Sequence, residues 1–286
     1  MKVAHNKELE WTQWPSIRGD TANVQLLLQG KSGEIDDYEL MLSRIEGTEQ
    51  HSPRHRHVFD QFRCALDQDI PLGPGIIPKG CIAFIPEGTP YGPFSLPKNL
   101  MMLSLQFGGP SGQGHVHTQD LLEAYAKLAN EGSFDKGVYT WTDAEGKKHN
   151  KDAHKAVWER ITGREVHYPA PRILDPVVIN PDNYRWIVAG PGVAEKLLGV
   201  FNERGTYARM LRIEPRASYA RPAGKQANIC FIKEGACTIE QAGVDQNVLQ
   251  KWDSFRAEPD ESVTITALEQ TTLLMFGMPH FSNGEG

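Results

Sequence analysis

HSPRHRHVFDQFRCALDQ, residues 51–68, gathers three histidines just before a run in which polar and apolar residues alternate. Side chains two residues apart lie on the same face of a β-strand. His55 and His57 therefore share a face, and Phe59, Gln61 and Arg63 continue it as long as the backbone stays extended. Two imidazoles that converge in this way are a common start of a divalent metal site. The stretch predicts a strand with one functional face.

The rest of the chain is dominated by short apolar runs separated by Gly and Pro, which predicts an all-β sandwich or barrel. These runs form two sets, at roughly 22–108 and 184–280. Between them, TQDLLEAYAKLANEG and KDAHKAVWERITG have helical spacing, and GVYTWTDAEGKK predicts a hairpin. We therefore predict β domains at 1–110 and 171–286, joined by a helical and hairpin insert at 111–170. The insert is either a cap on the first barrel, which we favour, or a dimer contact.

Composition excludes several classes of function. The 286 residues carry a formal net charge of −6, which argues against a nucleic-acid partner. No apolar run reaches the roughly 18 residues of a membrane span. The first residues lack the apolar centre of a signal peptide, and the four cysteines form no CxxC pair. We expect a cytoplasmic homodimer with reduced, buried thiols and a small-molecule substrate.

The opening stretch resembles the first signature of the cupin superfamily, G-x5-H-x-H-x3/4-E-x6-G. His55, His57 and Gln61 fit its spacing, whereas Gly47 lies two residues too far from His55. GCIAFIPEGTPYGPF resembles the second signature, G-x5-P-x-G-x2-H-x3-N, and its positions are taken by Gly80, Pro86, Gly88, Tyr91 and Ser95. The resemblance implies two tandem double-stranded β-helix barrels of the jelly-roll type, that is, a bicupin.

The departures from the two signatures bear on the metal site that the family implies. Its ligands would be His55, His57, Gln61 and Tyr91, but the family has glutamate at the third position and histidine at the fourth. A neutral amide is a poor substitute for a carboxylate, and a phenol binds well only when deprotonated. The resemblance therefore implies one weakly held divalent ion, with Fe(II) favoured and Mn, Ni, Zn or Cu as alternatives.

The second β domain keeps no metal ligand when it is aligned with the same signatures. Pro222, Gly224 and Asn228 take the ligand positions of the first signature, and Thr264 takes the histidine position of the second. We interpret this domain as a scaffold.

Other histidines carry weaker signals. His115 and His117 form a second His-x-His pair, but it lies in a glycine-rich loop where ligation is not expected. His149 and His154 are predicted to lie at the surface, and His51 at the rim of the site.

Four residues are predicted to contact the substrate: Arg63, Ser104, Gln106 and Trp141. Arg63 either holds a carboxylate through two hydrogen bonds or forms a salt bridge at the barrel mouth. Ser104 and Gln106 alternate with apolar residues, which suits a wet lumen. Trp141 or Tyr139 either reaches the pocket or packs the hairpin onto the helices.

The preferred function is a metal-dependent cupin enzyme with an oxygenase-type reaction on a small anionic, chelating substrate, aromatic or dicarbonyl. Tyr91 would be an acid/base group or ligand, Gln61 a second donor, and Arg63 the group that orients the substrate. A lyase or isomerase reaction stays open, because the fold alone does not decide function. The alternative is a metal-free cupin that binds a small molecule as a sensor, or shuttles protons as an isomerase through His57 and Tyr91. A storage-type barrel without chemistry is the third possibility.

Overall fold

The structure is a computed structural model that describes residues 1–15, 21–46, 50–241 and 244–281, so Gly47 lies outside the described residues. The strands before the insert are β1 (Lys2–Ala4), β2 (Thr12–Pro15), β3 (Thr21–Gln29), β4 (Tyr38–Arg44), β5 (Gln50–Ser52), β6 (Phe59–Ala65), β7 (Ile70–Pro71), β8 (Ile76–Ile77), β9 (Ile82–Ile85), β10 (Phe94–Leu96) and β11 (Met101–Gly108). The insert contains α1 (Thr118–Ala129), β12 (Gly132–Asp135), β13 (Val138–Thr142), β14 (Lys148–Asp152) and α2 (Ala153–Thr162).

The remaining strands are β15 (Val177–Ile179), β16 (Ile187–Gly190), β17 (Val193–Val200), β18 (Tyr207–Ile213), β19 (Ser218–Arg221), β20 (Asn228–Glu234), β21 (Cys237–Gln241), β22 (Val244–Leu249), β23 (Ser254–Ala257), β24 (Val263–Ala267) and β25 (Thr271–Gly277). Short 3₁₀ turns lie at Asn6–Glu8 and Pro181–Asn183.

The chain divides into two compact units. The N-terminal unit consists of Trp11–Val24 and Gln29–Val178. The C-terminal unit consists of Met1–Glu10, Gln25–Leu28 and the chain from Ile179 onward. The first ten residues, assigned from sequence to a domain 1–110, therefore lie with the C-terminal strands, because β1 forms an antiparallel pair with β23. The insert at 111–170 belongs to the N-terminal unit.

The N-terminal unit contains a seven-stranded sheet in the order β15-β9-β6-β11-β4-β3-β2, with two-stranded sheets formed by β10-β5 and β7-β8. One face of the large sheet contributes to a core with the small strands, formed by Ile45, Ala65, Ile70, Leu72, Ile77, Cys81, Ala83, Ile85, Tyr91, Phe94, Leu96, Leu100 and Met102. On the opposite face, Phe62 packs against Phe84 and Phe107 with ring centroids 5.0 and 5.8 Å away. Strand β6 is thus buried on both faces.

The C-terminal unit contains a seven-stranded sheet, β1-β23-β20-β25-β18-β17-β16, and a four-stranded sheet, β19-β24-β21-β22. Inward residues of both sheets form one core, among them Leu211, Ile213, Ile232, Cys237, Ile239, Phe255, Ile265, Leu273 and Met275. The prediction of an all-β chain with a β-barrel fold is confirmed, and each of the two units contains one seven-stranded sheet.

The insert folds as its sequence predicts. Helix α2 begins after Asp152, whose side chain accepts a hydrogen bond from the backbone N–H of Lys155 at 2.9 Å. It ends at Gly163, whose φ of 66° is a left-handed conformation that glycine adopts without strain. Strands β13 and β14 form the expected hairpin, which turns at Glu145-Gly146. Neither helix of the described chain is long and apolar enough to cross a bilayer.

The four cysteines, Cys64, Cys81, Cys230 and Cys237, are buried free thiols, as the sequence predicts. Burial raises the pKa of Cys237 to about 12, so this thiol stays protonated at neutral pH.

Candidate functional site

Strands β6, β11 and β4 present a grid of inward side chains. The rows of this grid are Gln61–Gln106–Glu39, Arg63–Ser104–Met41 and Ala65–Met102–Ser43. Because side chains directly opposite each other in an antiparallel pair share a face, Ser104 and Gln106 lie on the same side of the sheet as Arg63. The alternation in the sequence predicted this face. The register adds the buried Glu39, which sequence reasoning missed.

The two signature segments meet at a backbone bridge. His55 N–H donates to the carbonyl of Tyr91 at 3.0 Å, and Tyr91 N–H donates to the carbonyl of His55 at 2.9 Å. The His55 ring lies 4.9 Å from the ring of His57 and 4.3 Å from that of Tyr91, measured between centroids. His55 and His57 precede β6 instead of lying within it, and His57 stacks on Phe59 at 4.5 Å.

The phenol oxygen of Tyr91 is the centre of a hydrogen-bond network. Gln61 Nε2 donates to this oxygen at 3.1 Å and Arg63 Nη2 at 2.9 Å. The third contact is His57 Nε2 at 3.0 Å. Since the amide and the guanidinium supply two donors, the phenol directs its own proton to His57. Arg63 Nε also donates to Gln61 Oε1 at 3.1 Å, which fixes the orientation of the amide.

A cavity of about 230 Å³ lies beside this network in the N-terminal unit. Its polar lining includes His51, His55, His57, Arg63, Gln106, Thr118 and His154. Its apolar lining is formed mainly by Trp14, Ala22, Val24, Met41, Phe94, Leu96, Met102, Leu121 and Leu122. Arg63 is only 8% exposed, and its Nη1 has no hydrogen-bond partner among the described residues. Arg63 thus lines the cavity and carries a buried guanidinium nitrogen without a hydrogen-bond partner among the described residues.

The insert supplies part of the cavity wall, and one of its residues corrects a prediction. His154, expected at the surface, is 7% exposed, lines the cavity and makes an edge-to-face contact with His57 at 5.1 Å. The reason is helical spacing. His154 lies four residues before Trp158 and seven before Ile161, so it extends the apolar face of α2 by one turn. That spacing was the signal that could have found it.

The hairpin aromatics lie away from this cavity. Trp141 stacks on Tyr139 at 5.4 Å and on His149 at 5.1 Å, and it packs in a cluster with α1 and α2. Trp141 is absent from the described residues that line the cavity, so the structure favours the alternative in which these rings brace the insert. His149, also expected at the surface, is half-buried by this stacking, and its Nε2 lies within hydrogen-bond distance of Asp143 Oδ2, at 2.6 Å.

The His115 and His117 pair converges on a buried carboxylate, Asp37, which is 0% exposed. His115 Nδ1 and His117 Nε2 lie 3.1 and 3.0 Å from its oxygens. Burial alone would raise the pKa of Asp37, but the hydrogen bonds from both imidazoles outweigh it and hold that pKa below its ordinary value. The same hydrogen bond raises the pKa of His117. His115 also reaches Gln106 Oε1 at 3.3 Å, which links this cluster to the cavity.

The donor atoms present do not fit a metal centre in which all four predicted residues are ligands. Gln61 Oε1 and the Tyr91 oxygen both accept hydrogen bonds from Arg63. An ion bound to these atoms would adjoin a guanidinium, with no carboxylate in the ligand set to offset the repulsion. Within residues 1–15, 21–46, 50–241 and 244–281, no group of three or more His, Cys, Asp or Glu side chains is arranged to hold a metal ion.

Neither protein-family models nor curated proteins match this sequence. Solved structures do match its fold. A Nostoc punctiforme protein provisionally assigned as a dioxygenase is 13% identical, with 99% of this chain and 84% of that chain covered and a TM-score of 0.62. Streptomyces albus HEPD, solved with 2-hydroxyethylphosphonate and Fe(II) bound, is 12% identical, with coverages of 99% and 77% and a TM-score of 0.59.

Oxalate decarboxylase from Bacillus subtilis, for which Mn(II) centres are described, is 11% identical, with coverages of 98% and 76% and a TM-score of 0.58. At these identities the likeness shows the fold alone. The chain has the β-barrel fold of the cupins, a fold that includes metal-dependent enzymes.

Proposed function

We propose that the cavity of the N-terminal unit is the active site of a cupin-type enzyme that binds a small anionic substrate and transfers a proton through His57 and Tyr91. The observation that carries this proposal is the buried Arg63. Its hydrogen-bond partners among the described residues, Gln61 and Tyr91, are both neutral. A buried charge without a counter-charge is costly. A substrate carboxylate bound in the cavity beside Arg63 would supply the counter-charge.

The network around Tyr91 suits general acid–base chemistry. When His57 accepts the phenol proton, the oxygen left behind is held by the N–H groups of Gln61 and Arg63. The reverse transfer returns the proton to the phenol. A substrate anchored on Arg63 would lie next to a group that can both take and give a proton. This supports an isomerase- or lyase-type reaction in which a proton leaves or joins a carbon near the carboxylate.

A metal-dependent oxygenase is the second candidate, and the pair of signature histidines favours it. His55 and His57 lie side by side, and His55 Nδ1 lies 2.6 Å from the carbonyl of Pro53. When Nδ1–H is donated in this way, Nε2 is the ring nitrogen that carries the lone pair, as in metal-bound histidines. These two residues would hold one divalent ion, with Fe(II) favoured and Mn, Ni, Zn or Cu as alternatives. Bound there, it would supply Lewis-acid and redox chemistry.

Metal analysis and ligand-induced thermal shifts separate the two candidates. The protein, purified without a His-tag, is analysed for metals and then melted in EDTA with and without hexanoate or benzoate. We expect no stoichiometric metal, and stabilisation by the carboxylates that Arg63→Met removes and Arg63→Lys partly keeps.

Two results would count against this proposal. Stoichiometric metal that is lost in the double variant His55→Ala/His57→Ala would establish the second candidate. Equal responses of the wild type and Arg63→Met to every carboxylate would show that Arg63 is not the anion site.

A further inference from the structure

We infer that the substrate is an apolar monocarboxylate, with its carboxylate on Arg63 and its hydrocarbon body on the inward face of β4, β3 and β2. This inference rests on the proposed anion site and names the class of molecule that the rest of the cavity fits.

The cavity changes from polar to apolar along the sheet. Arg63 is on β6, and the neighbouring β11 contributes both Met102 and Gln106. Further along the order β6-β11-β4-β3-β2, the lining is mainly apolar and includes Met41, Val24 and Trp14. Neighbouring strands are about 4.8 Å apart, so β4 and β3 lie about 10 to 14 Å from β6 along the sheet. Helix α1 adds Leu121 and Leu122 to the cavity lining.

The positive charge of the cavity lining is also confined to one side. Arg63 is the only Lys or Arg among the described lining residues. The lining histidines come from 51–57 and from α2, and β2, β3 and β4 contribute no cationic side chain to the described lining. A second carboxylate on the substrate would therefore lie mainly against methionine, valine and tryptophan, with the hydroxyl of Ser43 as a neutral donor and no counter-charge, which is unfavourable. A hydrocarbon body in the same place would be stabilised by burial.

Three ligands of equal carbon number test this inference by isothermal titration calorimetry at pH 7: hexanoate, adipate and hexanol. We expect hexanoate to bind at least about 100-fold more tightly than adipate, because only adipate must desolvate a second carboxylate. Hexanol should bind more weakly than hexanoate, because it offers no charge to Arg63. The pair butyrate and succinate repeats the comparison with shorter ligands.

Two variants at Met41 test the origin of this preference. Met41 lies in the same row as Arg63, with Ser104 between them. Met41→Lys places a cation on the apolar wall at nearly unchanged side-chain length, so the preference for hexanoate over adipate should fall at least about tenfold. Met41→Leu is the matched control and should keep the wild-type preference. Circular dichroism and melting curves show that both variants fold.

The outcomes distinguish the inference from the proposal beneath it. If adipate binds wild type as tightly as hexanoate, and Arg63→Met weakens both, the anion site stands and the monocarboxylate inference is overturned. If hexanol binds as tightly as hexanoate, or if no carboxylate of either pair binds, the anion site itself is wrong. The ligand series on the wild type decides these points even if Met41→Lys does not fold.

Discussion

Tyr91→Phe is the sharpest test of the network, because it removes one oxygen and leaves the ring in place. Tyr91 is 2% exposed, and its ring stacks on Phe94 at 5.9 Å, a contact that phenylalanine keeps. The loss of the oxygen leaves Gln61 Nε2 and Arg63 Nη2 without their acceptor. Gln61 is 0% exposed, and it cannot turn over because its Oε1 is held by Arg63 Nε.

A buried donor left without a partner costs about 1–3 kcal/mol. The cost at Gln61 should lie within this range. The cost at Arg63 should be smaller, because Arg63 borders the cavity, where water can replace part of the lost bond. We therefore expect Tyr91→Phe to lower the free energy of unfolding by about 3 kcal/mol, which corresponds to a melting temperature roughly 6–12 °C lower. Urea titration and thermal melting followed by circular dichroism measure both quantities.

Tyr168→Phe is the matched control in the same unit. Its hydroxyl donates one exposed hydrogen bond, to Asp152 at 3.2 Å, so its loss should change stability by less than about 0.5 kcal/mol. If Tyr91→Phe melts within about 2 °C of this control, the phenol oxygen does not organise the site. The proposed proton transfer between Tyr91 and His57 would then be wrong as well.

Three further predictions concern the metal question, pH and the hairpin. The double variant Gln61→Glu/Arg63→Met supplies an anionic ligand and removes the competing cation. Its Mn(II) affinity, measured by calorimetry, should therefore be at least about tenfold higher than that of the wild type. An unchanged affinity would show that Arg63 is not what disfavours the ion. The pKa of His117 is raised by its hydrogen bond to Asp37. The contribution of protonated His117 to folding stability is therefore complete below the ordinary pKa of 6.5, and it is lost as the pH rises through the raised pKa. Unfolding free energy should therefore fall with rising pH just above 6.5, and His117→Asn should flatten the curve; an identical slope in the variant would contradict this origin. Trp141→Ala should cost about 2 kcal/mol of stability and leave hexanoate affinity unchanged, because the ring braces the insert; lower affinity at constant melting temperature would restore its predicted role as a substrate contact.

The sequence predicted the face of the site better than the contacts within it. Alternation through Gln61 and Arg63 placed both side chains on one side of β6, and the pleat of a strand guarantees such a result. What the amide and guanidinium bond to depends on Tyr91, about 30 residues away, and on the register between strands. Local spacing therefore predicts that Gln61 faces the site. It contains no information on whether Gln61 binds a metal ion or the phenol of Tyr91.

The other differences also involve partners distant in sequence. The sequence shows His115 and His117 as a pair, but it does not show that the fold places the carboxylate of Asp37 next to both. Strand β1 belongs to the C-terminal unit because it pairs with β23, and no local feature of the sequence predicts this pairing. His154 is different, because its helical spacing was readable and the polar side chain alone suggested the surface. Buried histidines at the edge of an apolar face are worth examining as site residues.

Because the cavity is lined by both the barrel and the insert, the two parts can change at different rates. His57 and Tyr91, the groups proposed to transfer the proton, lie on segments of the barrel, whereas α1 contributes Thr118, Leu121 and Leu122 from the insert. Substitutions on that helix alter the shape presented to the substrate without moving the phenol or the guanidinium. An evolving lineage, or a directed-evolution library confined to α1, can therefore explore new substrates while the chemistry is inherited intact.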